Sequence, residues 1–218
     1  VLIRQKKELR MANDIDEEMQ ADQIKTFWHA YKKFIIITLL LIVASYTGYQ
    51  FYHSSEIKSA ESASQLYQEV IIEKLGNVET IKLKVKTLQE NHTNTPYAGR
   101  ASIYLSRILF EEKNNNEAME ALIWASENAK EKSIQSLAYY ALSNSYLVKK
   151  EIDKAKIAAE KISTPGYVGL KNDLLGDIYL LMNDKDMARA SFKSALAFYD
   201  NKSELAKVVQ TKLDAIGQ

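Results

Sequence analysis

Cysteine is absent from this sequence, and proline and glycine are scarce, at two and seven of 218 residues. Without cysteine there can be no disulfide bond and no thiolate metal ligand. So few helix-breaking residues leave few interruptions, which favours an all-α fold. The lack of disulfides is compatible with an oxidising compartment, but it identifies none, since many cytosolic domains also lack cysteine.

An excess of basic residues is also missing. The part of the chain after Tyr52 carries 22 Lys and Arg against 22 Asp and Glu. Proteins that bind nucleic acid usually show a basic surplus, because they neutralise phosphates. The balance therefore argues against a nucleic-acid partner.

The residue patterns of known catalytic, cofactor-binding and metal sites are missing too, so we expect no enzyme. The three histidines, His29, His53 and His92, form no pair at ligand spacing on one helix. Asp173 and Asp177 are four residues apart and could be cast as a carboxylate pair. We interpret them instead as two solvated residues on a helix surface. Loss of an activity on changing both would contradict that interpretation.

One long apolar run is present, from Phe34 to Tyr52, without a charged residue. As a helix it would be roughly 28 Å long, about the thickness of a bilayer core. A cleaved signal peptide is the alternative, but aromatic residues rather than small ones follow the run. Aromatic rings flank both ends, as at membrane interfaces. We therefore predict a retained single-pass anchor over residues 34–52, with these interface residues: Trp28, Tyr31, Lys32, Lys33, Tyr46, Tyr49, Phe51 and Tyr52.

The basic residues around the anchor predict its orientation. Lys25, Lys32 and Lys33 lie within the twenty residues before the run, and only Lys58 lies within the twenty after it. Lys and Arg prefer the cytosolic side. We expect a short cytosolic tail over residues 1–33 and a larger domain on the other side of the membrane.

A repeat with a period near 34 residues follows the anchor. The pattern L-G-x-x-Y…A-x-x-x-F of tetratricopeptide repeats is carried in its clearest copy by Leu175, Gly176, Tyr179, Ala188 and Phe192. Two weaker copies precede it. The earlier copies begin at Leu142 with Ser143 and at Leu105 with Ser106. The small second residue lets the two helices of a hairpin approach closely. The pattern predicts a tetratricopeptide-like α-solenoid of about three to four helical hairpins.

The flanking segments complete the predicted organisation. Residues 53–92 are predicted to form a leading helical hairpin, residues 93–202 three repeats, and residues 203–218 a capping helix. A cap is expected because the open end of a stacked array must be covered. We expect Met11 to be the natural start, with residues 1–10 upstream of it.

The first helices of such hairpins line a groove, which is the predicted binding surface. Mixed polar and apolar residues there suit an extended or helical protein segment. The alternative is a groove that is merely solvated or filled by the chain's own helices. The residues predicted to line it are Arg100, Ile103, Arg107, Phe110, Leu137, Tyr140, Asn144, Leu147, Leu170, Asp173, Asp177 and Leu180.

Three segments carry a family resemblance: "SAESASQLYQEVI", "AGRASIYLSRILFEEKNNNEAMEAL" and "LLGDIYLLMNDKDMARASFKSAL". Together with the acidic tail and the anchor, they resemble the YfgM-type ancillary subunits of the SecYEG translocon. The resemblance implies an inner-membrane protein of a Gram-negative bacterium with a periplasmic repeat domain. It also implies association with SecYEG, with a membrane-anchored periplasmic chaperone of the prolyl-isomerase type, and with translocating polypeptides.

A second function stays open at this point. Some related tetratricopeptide proteins coordinate wall synthesis, so the chain could be a periplasmic scaffold for envelope assembly or cell division. Co-purification with translocon subunits would favour the first function, and enrichment at the division site would favour the second.

Overall fold

Helices and the turns between them account for the whole described chain. The computed structural model describes residues 2–73, 77–200 and 202–217, with side chains described at Met19 and Asp22 and from Lys25 onward. No strand occurs within these ranges. The chain divides into two compact units, Val1–Ile57 and Lys58–Gln218, and the all-α prediction is confirmed.

The first helix, α1 (Leu2–Ile72), contains the apolar run. It is the one helix among the described residues that is long and apolar enough to cross a membrane, and its most apolar window is entirely unburied. Phe51, for example, exposes 81% of its surface. The core helix of a soluble domain would instead hide such side chains in its fold. The helix therefore fits a single-pass membrane protein.

The second unit is built from consecutive antiparallel helices. After the C-terminal part of α1, the chain continues as α2 (Val78–Asn91), α3 (Pro96–Glu111), α4 (Asn115–Asn128), α5 (Lys132–Val148), α6 (Ile152–Glu160), α7 (Val168–Leu181), α8 (Lys185–Leu196) and α9 (Glu204–Ala215). A short 3-10 helix, Pro165–Tyr167, precedes α7. The pairs α3–α4, α5–α6 and α7–α8 are the hairpins of the three repeats.

Each repeat hairpin turns in the same way. A residue in the left-handed region, with φ of 61°, follows the first helix at Lys113, Lys150 and Asn183. The next backbone N–H then donates to the carbonyl five residues earlier, which closes the helix end. These bonds join Asn114 to Leu109 (2.8 Å), Glu151 to Tyr146 (2.9 Å) and Asp184 to Tyr179 (2.9 Å).

The small residue of the repeat pattern lies where the two helices of a hairpin meet. A Cβ on Gly176 would lie 2.4 Å from Cε1 of the buried Phe192 on α8. In the preceding repeat, the Ser143 hydroxyl donates to the Ala155 carbonyl on α6 at 2.8 Å. The close approach expected from the sequence is thus present, with a hydrogen bond where serine replaces glycine.

Apolar clusters run through the second unit from one end to the other. At the leading end, Ala63 and Val70 of α1 are buried with Ile81, Val85 and Leu88 of α2. This cluster continues into α3 and α4, so the leading helices share a core with the first repeat.

The last helix, α9, closes the other end of the array. Val209 follows Leu175 by 34 residues and is buried in a cluster with Phe192 of α8. Leu213 follows Tyr179 by the same interval and packs against that cluster. The helix therefore occupies the place of the first helix of a fourth hairpin.

Candidate protein-binding groove

The twelve residues predicted to line a groove lie on the three first helices α3, α5 and α7 at equivalent positions. They form four rows across these helices. The first row is Arg100, Leu137 and Leu170; the second is Ile103, Tyr140 and Asp173; the third is Arg107, Asn144 and Asp177; the fourth is Phe110, Leu147 and Leu180.

The uncharged members of the groove are all half-buried. Ile103 and Phe110 pack against a cluster that includes Met119 and Leu142. Tyr140 and Leu147 pack against the cluster formed by α6 and α7, and Leu180 packs against the cluster around Phe192. These side chains join neighbouring hairpins with one part of their surface and expose the other part.

The α3 end of the groove is basic. The guanidinium of Arg100 forms a bidentate pair with Glu131, with Nε to Oε2 at 2.7 Å and Nη2 to Oε1 at 2.8 Å. Hydrogen bonding to Glu131 is the main cause that raises the pKa of Arg100. Arg107 lies over the ring of Tyr104, 5.0 Å from its centre, and only a 3.9 Å contact joins it to Glu111. Its side chain is 64% exposed, so it is the more available cation.

The middle of the groove, on α5, carries no charge. The Asn144 side-chain amide donates to the Tyr140 carbonyl at 2.8 Å, which holds its orientation. Phe110, Asn144 and Val148 line a pocket of about 260 Å³ together with Asn115, Met119, Ser145 and Lys149. Val148 is 85% exposed at the pocket rim. An apolar side chain of a partner would find contacts here.

The α7 end of the groove is acidic and is contacted by a helix of the chain itself. Lys212 of α9 donates to Asp173 at 2.8 Å and to Asp177 at 2.7 Å. The two carboxylates are 17% and 37% exposed. Asp173 and Asp177 are therefore not simply two solvated residues, because both are partly buried and share the ammonium of Lys212.

Burial and ion pairing act in opposite directions on the pKa values of Asp177 and Lys212. Burial is the largest influence on Asp177 and raises the pKa of its carboxyl, which the hydrogen bond from Lys212 only partly offsets. Burial also opposes the charge of Lys212, but hydrogen bonds to Asp173 and Asp177 together raise the pKa of its ammonium. The arrangement is an ion-pair network that joins α7 to α9.

Lys212 and Glu131 pair with charged residues of the groove, and the sequence interpretation missed both. Lys212 could have been found, because α9 repeats the 34-residue period and so places its charged residues beside those of α7. Glu131 precedes α5 and has no repeat position to mark it.

The predicted interface residues all lie in α1. They are Trp28, Tyr31, Lys32, Lys33, Tyr46, Tyr49, Phe51 and Tyr52. The aromatic members are exposed along the helix. Their position at a membrane surface stays a prediction.

Among the described residues, no group of three or more His, Asp or Glu side chains is placed to hold a metal ion. A family profile described as a tetratricopeptide repeat-like domain matches residues 25–218. The chain belongs to this family. Its fold is one that mediates protein interactions rather than a class of enzyme.

Curated relatives extend the comparison to nearly the whole chain, and each is named an ancillary SecYEG translocon subunit. The protein of Neisseria gonorrhoeae is 25% identical over 94% of this chain and 100% of its own length. That of Aggregatibacter actinomycetemcomitans is 25% identical over 85% of this chain and 91% of its own. That of Escherichia coli is 24% identical over 91% and 96%. The resemblance to this group of translocon subunits is confirmed.

Proposed function

We propose that the chain is a non-enzymatic, membrane-anchored ancillary subunit of the SecYEG translocon. Its repeat domain binds a membrane-anchored periplasmic chaperone, of the prolyl-isomerase type, or polypeptides emerging from the channel. The observation that carries the proposal is the set of relatives named as ancillary SecYEG translocon subunits, which match the chain over most of its length. The unburied apolar helix supports the membrane anchor.

The groove supplies the proposed contact. Its half-buried apolar residues and exposed arginines offer both anchoring and orienting contacts to a polypeptide. Anchoring in the membrane confines the domain to a plane beside its partners. Weak contacts therefore gain from a raised effective concentration.

The first experiment is in-cell photo-crosslinking from Tyr140 and Arg107, with identification of the captured proteins. We expect translocon subunits, a periplasmic chaperone or translocating chains. Glu120, exposed on the second helix α4, is the matched control position and should capture fewer of these proteins. Capture only of wall-synthesis or division proteins would instead support an envelope or division scaffold. Absence of capture at both groove positions would refute the groove as the working surface.

The proposed topology places the N-terminus in the cytosol and the repeat domain in the periplasm, because Lys25, Lys32 and Lys33 precede the apolar run. The natural absence of cysteine allows a direct test. Ser194→Cys on α8 should react with a membrane-impermeant maleimide in spheroplasts whose inner membrane is intact. Asp22→Cys should react only after the membrane is permeabilised. The reverse pattern would overturn the topology.

A further inference from the structure

We propose that the groove orients its ligand by charge: it takes a polypeptide segment that is acidic at one end, apolar in the middle and basic at the other. The acidic end lies on α3 and the basic end on α7. This inference rests on the proposed function of the groove and adds the chemistry and direction of the segment that it binds.

The rows across the three first helices carry the argument. The third row reads Arg107, Asn144 and Asp177, so formal charge passes from positive through neutral to negative along one line. The first row adds Arg100 at the α3 end, and the second adds Asp173 at the α7 end. The helix between them contributes four uncharged residues. Opposite charges at the two ends favour one orientation of a ligand with the complementary pattern.

The chain's own counter-charges leave this polarity in place. Glu131 neutralises Arg100, but Arg107 is mostly exposed and its nearest carboxylate, on Glu111, lies 3.9 Å away. At the other end two carboxylates share the single ammonium of Lys212. Arg107, held to Glu111 only by the long contact between two exposed side chains, is therefore the accessible cation on α3. On α7 the two carboxylates exceed the one ammonium by one negative charge.

The fourth row supplies the apolar part of the ligand site. Phe110, Leu147 and Leu180 run parallel to the charged row on its C-terminal side. A pocket of about 260 Å³ adjoins the α3 end of this line, where Phe110 lies near Met119 of α4 and Val148 of α5. An extended segment presents alternate side chains to opposite sides. It can therefore place apolar residues along the fourth row and charged residues along the third.

The spacing of the helices sets the spacing of the ligand's charges. Packed helices lie about 8–10 Å apart, and an extended chain advances about 3.3 Å per residue. From α3 to α7 there are two helix steps, or roughly 20 Å by the same spacing. The acidic and basic residues of the segment should therefore be about six residues apart.

The test uses the full-length protein in nanodiscs and two synthetic peptides of equal composition. The first carries two glutamates, a leucine-rich middle and two lysines, with about six residues between the opposite charges. The second carries one glutamate and one lysine at each end. Each is made with a benzophenone group at one end or the other, and the crosslinked residues are located by mass spectrometry.

We expect the acidic end of the first peptide to crosslink to α3 and its basic end to α7 or α9. The second peptide should crosslink with both ends to both places. Arg107→Glu should weaken binding of the first peptide about three- to tenfold, the effect of reversing one exposed charge contact. Lys193→Glu, the same charge change on the exposed face of α8, is the matched control and should leave binding unchanged.

The outcomes separate this inference from the proposed function. If both peptides crosslink in the groove without preference for an end, the orientation by charge is refuted and groove binding stands. If neither peptide is captured in the groove, the inference is refuted as well. Failure of the in-cell crosslinks from Tyr140 and Arg107 in addition would refute the groove function itself.

Discussion

Gly176 leaves space for a neighbouring ring that any side chain would fill. Its missing Cβ would lie 2.4 Å from Cε1 and 2.6 Å from Cδ1 of Phe192, which is fully buried. Gly176→Ala should therefore force the ring out of place and lower the free energy of unfolding by about 1–3 kcal/mol, the usual cost of overpacking. Urea unfolding followed by circular dichroism measures the change.

Gly166→Ala is the matched control, because a Cβ there meets nothing within 4 Å. It should leave the unfolding midpoint nearly unchanged. Equal midpoints for the two variants would mean that Phe192 can move aside without cost.

Tyr199 has a buried hydroxyl that finds no hydrogen-bond partner among the described residues. Burial, with the nearby charge of Asp173, raises the pKa of Tyr199 to about 12 from its ordinary value of 10.0. The unfolded chain therefore loses this proton at lower pH than the folded protein does. The stability that the neutral phenol contributes is complete below pH 10 and is lost as the pH rises through the folded value.

Tyr199→Phe should remove both effects. At neutral pH we expect equal or slightly higher stability, because an unpaired buried hydroxyl disappears. Between about pH 10 and 12 the variant should lose less stability than the wild type. Chemical unfolding at a series of pH values checks this. Tyr167→Phe, in the short helix before α7, is the control, and an identical pH profile for wild type and Tyr199→Phe would contradict the account.

Lys212 joins the last helix to the groove through two carboxylates. Lys212→Met should destabilise the protein, because it leaves Asp173 and Asp177 half-buried without a counter-ion. A double-mutant cycle with Asp177→Asn should give a coupling energy of about 1 kcal/mol. A coupling energy near zero would show that the 2.7 Å contact contributes nothing to stability.

These residues also mark how far the sequence could predict the groove. The twelve lining positions follow from the repeat, because each is defined by its distance from Leu175 and its counterparts. The environment of Asp173 and Asp177 does not follow from the repeat, since it depends on a side chain 35 to 39 residues away. From the sequence alone, two carboxylates four residues apart on a helix are expected to be solvated. Only the position of the neighbouring helix shows that they share a lysine.

At the scale of the helices, the hairpin turns combine a common geometry with unequal residues. Lys113, Lys150 and Asn183 share a φ of 61°, which costs a residue with a Cβ about 1–2 kcal/mol unless it is asparagine or aspartate. Lys150→Gly should therefore stabilise the protein by about 0.5–1 kcal/mol. Asn183→Gly should gain less, because asparagine already tolerates this conformation.

Lys149→Gly is the control for the turn. Its backbone is right-handed helical, with φ of −78°. There is no backbone strain for glycine to relieve at this position, so the substitution should destabilise the helix end. Thermal unfolding of the three variants ranks them. A loss of stability in Lys150→Gly would mean that the lysine side chain contributes more than the backbone strain costs.

The hairpins themselves were predictable from sequence for a physical reason. Close helix packing needs a small residue opposite a large one, and this need recurs with the period of the repeat at Gly176 and Phe192. The weaker copies, with Ser143 and Ser106, keep the small volume but change the chemistry. The core that the leading helices share with α3 was harder to predict from the sequence. The leading helices carry no repeat pattern, and their contacts depend on packing alone.

At the scale of the molecule, the second unit contains its own core. The four apolar clusters of the described residues lie between Ala63 and Ile216. A fragment that begins at Ser54 lacks the apolar run but keeps every buried contact of these clusters. We expect it to purify without detergent and to unfold at the same urea concentration as the repeat domain of the full chain.

A shorter fragment that begins at Asn77 tests whether the end of α1 belongs to the repeat domain. It lacks Ala63 and Val70, which are fully buried against α2 and α3, and the 2.9 Å hydrogen bond between Ser59 and His92. Ile81, Val85 and Leu88 would lose cover, so the unfolding free energy should fall by about 2–5 kcal/mol, as for large cavities in a core. If both fragments unfold at the same midpoint, the part of α1 that follows the anchor does not stabilise the repeat domain. If only the shorter one is weakened, the helix that carries the apolar run also forms the first layer of the repeat domain.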